Sequence, residues 1–244
     1  MGTRGSRQDM LRTAVREAVA EVEITDIHTH LYPPAFGDML LWGIDELVNY
    51  HYLVAEVFRY TDLSYEEFWQ MSKRQQADLI WRHLFEQNSP IGEACRGILT
   101  TLQVLGMDVG ARDLASFRPY FEETNTEEYV SHVFEVARIK QVVMTNDPFD
   151  DRERECWLGD YKPDPRFRAA LRIDPLLNGW PTAWQRLEEW GYQVGEELNA
   201  ATLKEVRRFL TEWVERMDAL YLAASLPPTF AFPEDSARGT LVRE

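Results

Sequence analysis

Cysteine is scarce in this sequence, whose 244 residues include two, Cys95 and Cys156. They lie far apart and show neither the close spacing of a metal-binding motif nor a disulfide framework, so a reducing cytoplasm is the expected compartment. An apolar run of about 18 residues is also lacking, and the N-terminus has no apolar core of the kind that a secretory signal peptide carries. We therefore predict neither a membrane span nor export.

Basic residues are fewer than acidic ones. The sequence has 26 Lys and Arg against 41 Asp and Glu, which gives a formal net charge of −15. Nucleic acids and anionic membranes bind basic surfaces, so neither is an expected partner. A small anionic substrate remains compatible with this charge, because a pocket can be locally positive. Apolar residues make up 45% of the sequence, which is ordinary for a globular domain and sufficient for a core.

Four short apolar segments have the character of buried parallel strands. The first spans residues 23–30, and the others span 141–145, 169–173 and 221–225. Helical patterns lie between them. In the pattern at 202–217 the apolar residues recur at helical spacing, which predicts packing against a sheet. Strands that alternate with helices in this way indicate an α/β fold with a parallel sheet.

A parallel (β/α)8 barrel fits this pattern in part. Such a barrel has eight strands in about 250 residues, so four strands predict the N-terminal half of a TIM barrel with a large helical insertion after strand 1. We expect the natural protein to continue beyond Glu244, or the chain to be a truncated product. The predicted single domain, 1–244, comprises an N-terminal helix at 1–22, strand 1 at 23–30, the helical insertion at 39–137 and strand–helix repeats at 141–244.

The first predicted strand ends in two histidines. His28 and His30 are two residues apart, so on a strand both side chains share one face with Asp26. Two adjacent imidazoles can bind one divalent metal, and barrel active sites lie at the carboxyl ends of the strands. Two structural histidines are the alternative. We predict zinc at His28 and His30, which makes the barrel metal-dependent, although a catalytic zinc needs a third protein ligand.

Acidic residues also follow the second predicted strand. Asp147, Asp150 and Asp151 resemble a metal-binding cluster at first sight. However, Asn146-Asp147-Pro148 is a turn signature, because Asn and Asp side chains bond to the backbone two residues on and proline presets a turn. We therefore interpret this segment as a turn rather than as a second metal site.

The residues around the histidine pair resemble the first-strand signature of the amidohydrolase superfamily. Within that superfamily the sequence resembles uronate isomerase (glucuronate isomerase), and the resemblance extends over essentially all 244 residues. The pair itself specifies only the superfamily, whereas His51-Tyr52 and the tract Leu171–Pro175 are more specific. The tracts that carry the resemblance are Ile24–Leu31, Phe36–Trp42, Tyr50–Val57, Glu93–Gly97, Met144–Phe149 and Leu171–Pro175.

The resemblance implies an aldose–ketose isomerase of hexuronate catabolism. The family interconverts D-glucuronate with D-fructuronate, and D-galacturonate with D-tagaturonate. By correspondence with the family, His28 and His30 are expected to bind zinc. The expected catalytic residue is Tyr52, and the expected substrate-binding residues are Arg172 and His51. An arginine suits a hexuronate because its planar fork binds two oxygens at once.

The sequence departs from the family pattern in one respect. The family's third metal ligand, which is also its base, is an aspartate after the eighth strand, and a substrate-binding arginine follows it. We expect neither here, because only four strands are predicted. Two alternatives therefore stay open beside the isomerase: a mononuclear hydrolase of the same superfamily, and an inactive truncated remnant. For Arg172, a structural ion pair with Asp174 is the alternative to substrate binding. The sequence leaves open whether the protein forms a homo-oligomer.

Overall fold

The computed structural model describes residues 3–29, 31–159 and 161–225. The chain divides into two compact units: the sheet unit, up to Phe36 and from Ala137 onward, and the helical unit, Gly37–Val136. In chain order, the described helices and strands are α1 (Thr3–Glu21), β1 (Ile24–Asp26), α2 (Ile44–Val48), α3 (His51–Val57), α4 (Tyr65–Gln70), α5 (Lys73–Trp81), α6 (Glu93–Val104), α7 (Leu114–Glu123), α8 (Thr126–Val136), β2 (Ile139–Asn146), α9 (Asp151–Leu158), β3 (Phe167–Arg172), α10 (Asp174–Asn178), α11 (Trp180–Glu189), α12 (Ala200–Met217) and β4 (Leu222–Ala223).

The strands of the sheet unit form a parallel sheet in the order β1-β2-β3-β4. In its register, Asp26 lies opposite Val142, and Asn146 lies opposite Leu171. Helices connect β2 to β3 and β3 to β4. The predicted α/β class and its four parallel strands are therefore confirmed, with the strand order of a partial (β/α) barrel.

The core of the sheet unit lies between the central strands and α12. The middle of β2, Val142–Met144, and the segment Ala169–Leu171 of β3 are buried, as expected for strands covered on both faces. On α12 the buried residues follow helical spacing, and they are Thr202, Val206, Phe209, Trp213 and Met217. In the described ranges, no helix is both long enough and apolar enough to cross a membrane.

The first strand is shorter than predicted. β1 ends at Asp26, so the prediction that the strand continues through residues 27–29 is wrong. The physical reason is local, because the carboxylate of Asp26 accepts a hydrogen bond from the His28 backbone N–H at 3.0 Å. The Thr29 hydroxyl similarly accepts from the Leu31 N–H at 2.9 Å. Such side-chain bonds compete with the ladder of a sheet and turn the chain.

The helical unit has its own core, formed by residues such as Phe68, Trp81 and Phe85. The Trp81 and Phe85 rings are stacked, with centroids 4.2 Å apart. Helix α4 begins at a capping box, in which the Ser64 side chain accepts from the Glu67 N–H and the Glu67 carboxylate accepts from the Ser64 N–H. Local caps and a shared apolar interior thus explain why this unit is helical.

Candidate active site

Polar side chains gather where the strands of the sheet unit end. β1 ends at Asp26, β2 at Asn146 and β3 at Arg172. Because these strands are parallel neighbours, their carboxyl ends lie on one edge of the sheet. That edge is where (β/α) barrels and open α/β sheets place their ligands. This edge is therefore the candidate active site of the sheet unit.

The histidine pair is described in part. His28 lies in an exposed bend directly after β1, and its backbone is held by the carboxylate of Asp26. His30 lies outside the described residues. His28 follows β1 and Arg172 ends β3, and these two strands are separated by β2 in the sheet. The structure thus places His28 at the predicted edge, but within a turn rather than on a strand.

A zinc site is not complete within the described residues. In residues 3–29, 31–159 and 161–225, no group of three or more His, Cys, Asp or Glu side chains could hold a metal ion. Catalytic zinc takes three protein ligands and a water. Of the two predicted ligands, His28 is described and His30 is not. The described donor set therefore does not fit a catalytic zinc, and metal binding by this pair stays a prediction.

Arg172, the last residue of β3, is oriented by a carboxylate. Its Nε donates to Oδ2 of Asp174 at 2.9 Å, so the ion pair considered from the sequence is present. The other oxygen of Asp174 accepts from the Ser225 backbone N–H at 2.7 Å. Asp174 therefore links the end of β3 to the residues after β4. The Arg172 side chain remains partly exposed, with 41% of its surface accessible, so a ligand can reach it.

Glu153, on α9, joins two of the loops at this edge. Its Oε1 accepts from the Tyr32 hydroxyl at 3.2 Å. Its Oε2 accepts from the Asn146 side-chain amide at 2.8 Å and from the Asp147 backbone N–H at 3.1 Å. Tyr32 belongs to the segment after β1, whereas the other two donors lie at the end of β2. One carboxylate thus holds together the chain segments that leave two adjacent strands.

Burial perturbs the titration of these groups. Removal from water raises the pKa of Glu153 to about 7, although the hydrogen bonds from Asn146, Asp147 and Tyr32 favour the ionised form and oppose the shift. Burial also raises the pKa of Asp147, against the opposing effects of the Phe149 N–H and the Arg172 guanidinium. The pKa of Tyr32 lies above its usual value, first because of burial and then because of the Glu153 carboxylate.

The segment after β1 also packs on α9 through apolar rings. The Tyr32 ring is stacked on Phe36, with centroids 5.4 Å apart, and Phe36 meets Trp157 edge to face at 5.8 Å. Trp157 lies four residues after Glu153, so both side chains lie on one face of α9. The same helix face therefore supplies an apolar contact and a hydrogen-bond acceptor to this segment.

His51 and Tyr52 belong to the helical unit, where they begin α3. Both are exposed, and the Tyr52 side chain has 60% of its surface accessible. The His51 ring contacts those of Tyr50 and Tyr52, with centroids 4.2 Å from each, and the two tyrosine rings also contact each other. Exposure makes both side chains accessible to a ligand, and their predicted roles in catalysis and substrate binding stay predictions.

The acidic residues after β2 confirm the turn interpretation. Asp147 accepts from the Phe149 N–H at 2.9 Å, and Asp150 caps α9 by accepting from the N–H groups of Arg152 and Glu153 at 3.0 Å. Sequence reasoning missed the role of Glu153. The only signal in the sequence is spacing: Glu153 and Trp157 are four residues apart and so lie on one face of a helix, which does not by itself indicate that the carboxyl group is buried.

Comparison with known proteins identifies the family. Neither the protein-family models nor the curated proteins give a match. Among solved structures, the chain is similar to a uronate isomerase from Bacillus halodurans C-125, with 56% sequence identity and a TM-score of 0.93. The similarity covers 96% of this chain and 56% of that enzyme's chain, so the present chain spans little more than half of its solved relative. Over the portion that it spans, the chain belongs to the uronate isomerase family.

Proposed function

We propose that this protein acts as a uronate isomerase that interconverts D-glucuronate with D-fructuronate and D-galacturonate with D-tagaturonate. The observation that carries the proposal is the 56% identity to a uronate isomerase over 96% of the chain. Its ligand is then a small hexuronate. A reducing cytoplasm is the proposed compartment, because Cys95 and Cys156 are both free thiols.

The proposed reaction moves hydrogen within the substrate and leaves its formula unchanged. In the open-chain aldose, C1 is an aldehyde and C2 carries a hydroxyl group. Loss of the C2 proton and protonation of the C1 oxygen give an enediol with a C1=C2 double bond. Protonation of C1 and loss of the C2 hydroxyl proton then give the ketose. Negative charge builds on oxygen along this path, so positioned donors and cations accelerate it.

Arg172 is the proposed binding group for the hexuronate carboxylate. Asp174 holds its Nε at 2.9 Å and thereby sets the plane of the guanidinium before substrate arrives. The terminal nitrogens have no other described bond, and a guanidinium can offer two of its N–H groups to a carboxylate in parallel. An arginine oriented in advance loses less conformational entropy on binding. This arrangement supports a substrate-binding role in addition to the ion pair.

The metal-binding proposal concerns His28 and His30. Bound zinc would act as a Lewis acid that stabilises negative charge on a substrate oxygen. The described residues do not complete such a site, so further ligands would come from outside them. In the helical unit, Tyr52 is proposed to exchange a proton with a substrate oxygen, because a phenol can both donate and accept hydrogen bonds. His51 is proposed as a substrate-binding residue.

The test is turnover of D-glucuronate and D-galacturonate by the chain, measured by the appearance of the ketose. Arg172→Met should lower kcat/KM about a hundredfold, because it removes charge-assisted hydrogen bonds to a carboxylate. Arg168→Met is the matched control, since Arg168 lies on the same strand and is also paired with an aspartate, Asp218, at 2.8 Å. Failure of the unaltered protein to interconvert either pair of sugars removes the proposal for this chain.

A further inference from the structure

Glu153 is a costly residue to bury. Its side chain is 5% exposed, and its three described partners are neutral donors rather than a cation. A carboxylate taken from water loses solvation that such bonds replace only in part, and its raised pKa of about 7 reflects that loss. A neutral side chain of similar shape often gives equal or greater stability at such a position. Fold stability alone therefore does not account for a carboxyl group here.

A carboxylate can do one thing at this position that an amide cannot. Its two oxygens accept from donors on different segments, Tyr32 on one side and Asn146 with Asp147 on the other. Glutamine has a single acceptor oxygen. If that oxygen accepts from Asn146 and Asp147, its NH2 group can reach Tyr32 only by donating to the hydroxyl oxygen, which replaces a charge-assisted hydrogen bond by a weaker neutral one. The requirement for two acceptors thus coincides with the joining of two loops at the carboxyl ends of β1 and β2.

Apolar contact alone does not fix the position of the segment after β1. Its apolar contact, Phe36 against Trp157, is compatible with small sliding movements because hydrophobic contact is non-directional. The bond from the Tyr32 hydroxyl to Glu153 is directional, and it fixes the segment relative to the end of β2. His28 lies four residues before Tyr32 in the same segment.

We infer that Glu153 is a positioning residue, which holds the segment after β1, with His28 on it, against the carboxyl end of β2. It acts through Tyr32 on one side and through Asn146 and Asp147 on the other. The inference rests on the proposed function only where it concerns metal binding at His28. The joining of the two loops depends on the described hydrogen bonds alone.

The test compares two Tyr–Glu hydrogen bonds of the sheet unit, and the carboxylate of the control pair also accepts from Arg208. Glu153→Gln removes one acceptor oxygen, and Tyr32→Phe removes the hydroxyl group that donates to it. The matched control is the pair Tyr192 and Glu212, in which the tyrosine hydroxyl donates to the carboxylate at 2.5 Å from within the same unit. Glu212→Gln and Tyr192→Phe thus remove the same kind of bond without touching the strand ends. Circular dichroism of each variant checks that it folds.

The main readout is the NMR order parameter of three backbone amides, His28, Leu31 and Phe36. None of them bonds to Glu153, since they donate to Asp26, Thr29 and Pro33. In Glu153→Gln their order parameters should fall from about 0.85, typical of rigid backbone, toward about 0.6. Tyr32→Phe should give the same fall or a larger one, and the double variant should add little to it, because both changes act on one link. The two control variants should leave these amides unchanged.

A second readout is the affinity for Zn²⁺, measured by calorimetry with the metal alone. Glu153→Gln should weaken it about tenfold or more, as loss of outer-shell support does at metal sites, while Glu212→Gln should not. Unchanged order parameters in Tyr32→Phe, or an equal fall throughout the sheet unit, overturn the inference. If Glu153→Gln fails to fold, Tyr32→Phe alone decides the question. If the unaltered chain binds no Zn²⁺, the metal-binding proposal is lost, and the order parameters still decide the role of Glu153.

Discussion

Arg118 in the helical unit and Glu153 in the sheet unit are buried to the same extent, 5% exposed, but their partners differ. Arg118 donates to the carboxylates of Asp45 and Asp78, at 2.8 and 2.6 Å. Glu153 has neutral donors as its described partners. The compensated charge of Arg118 links three helices, whereas the uncompensated carboxyl group of Glu153 is a titratable group near the carboxyl ends of β1 and β2. Burial by itself therefore does not indicate what a charged side chain does.

The largest expected effect comes from breaking the compensated charge. Arg118→Met should lower the free energy of unfolding by about 3–5 kcal/mol, because it leaves two carboxylates facing each other without their cation. Asp45 and Asp78 retain some solvent contact, which favours the lower end of that range. Chemical denaturation gives the measurement, and Arg82→Met, an exposed arginine of the same unit, is the control. A loss below 1 kcal/mol would show that Arg118 is not essential to this packing.

The buried carboxyl group of Glu153 should make the free energy of unfolding depend on pH. The pKa of Glu153 is about 7 in the folded chain and about 4.5 in the unfolded one. Between these values the unfolded state binds fewer protons, so stability falls as pH rises from 4.5 to 7, and the fall is absent below that window. The change amounts to about 3 kcal/mol. Denaturation of the unaltered protein and of Glu153→Gln from pH 4.5 to 8 measures it. Parallel curves for the two proteins would contradict the prediction.

The smallest expected effect concerns a half-exposed ion pair. Asp174→Asn should raise the KM for D-glucuronate about fivefold and leave kcat within about twofold, because a partly exposed pair contributes roughly 1 kcal/mol. The cause is looser orientation of Arg172, whose Nε bonds to Asp174. Steady-state kinetics test this, and Asp218→Asn, which affects the Arg168 pair on the same strand, is the control. If both substitutions raised the KM equally, Asp174 would have no specific role in substrate binding.

The parts of the fold that could be predicted are those with local signals. β2 and β3 were expected at 141–145 and 169–173, and they span Ile139–Asn146 and Phe167–Arg172. Each contains a short continuous apolar run, which is typical of a buried strand. The first strand was predicted too long, because the side chains of Asp26 and Thr29 bond to the backbone after the strand and turn it. A period-two pattern does not reveal such competition.

The candidate site likewise contains residues whose contacts could be predicted from the sequence and one whose contacts could not. Arg172 and its ion pair with Asp174 could be anticipated, since two residues near in sequence at a strand end are also near in space. Glu153 could not be assigned its role, because its donors come from Tyr32, 121 residues earlier, and from the end of β2. No local pattern links residues so far apart.

Composition, periodicity and short motifs are sufficient to predict the family, the parallel α/β class, the apolar stripe of α12 and the histidine pair near the end of β1, because none of these depends on contacts between distant segments. Packing between distant segments determines that Asp174 joins the ends of β3 and β4, and that Glu153 becomes a buried acceptor with a raised pKa. Desolvation and long-range hydrogen bonds arise only when separate segments pack together, and these are the forces that set the chemistry of the site.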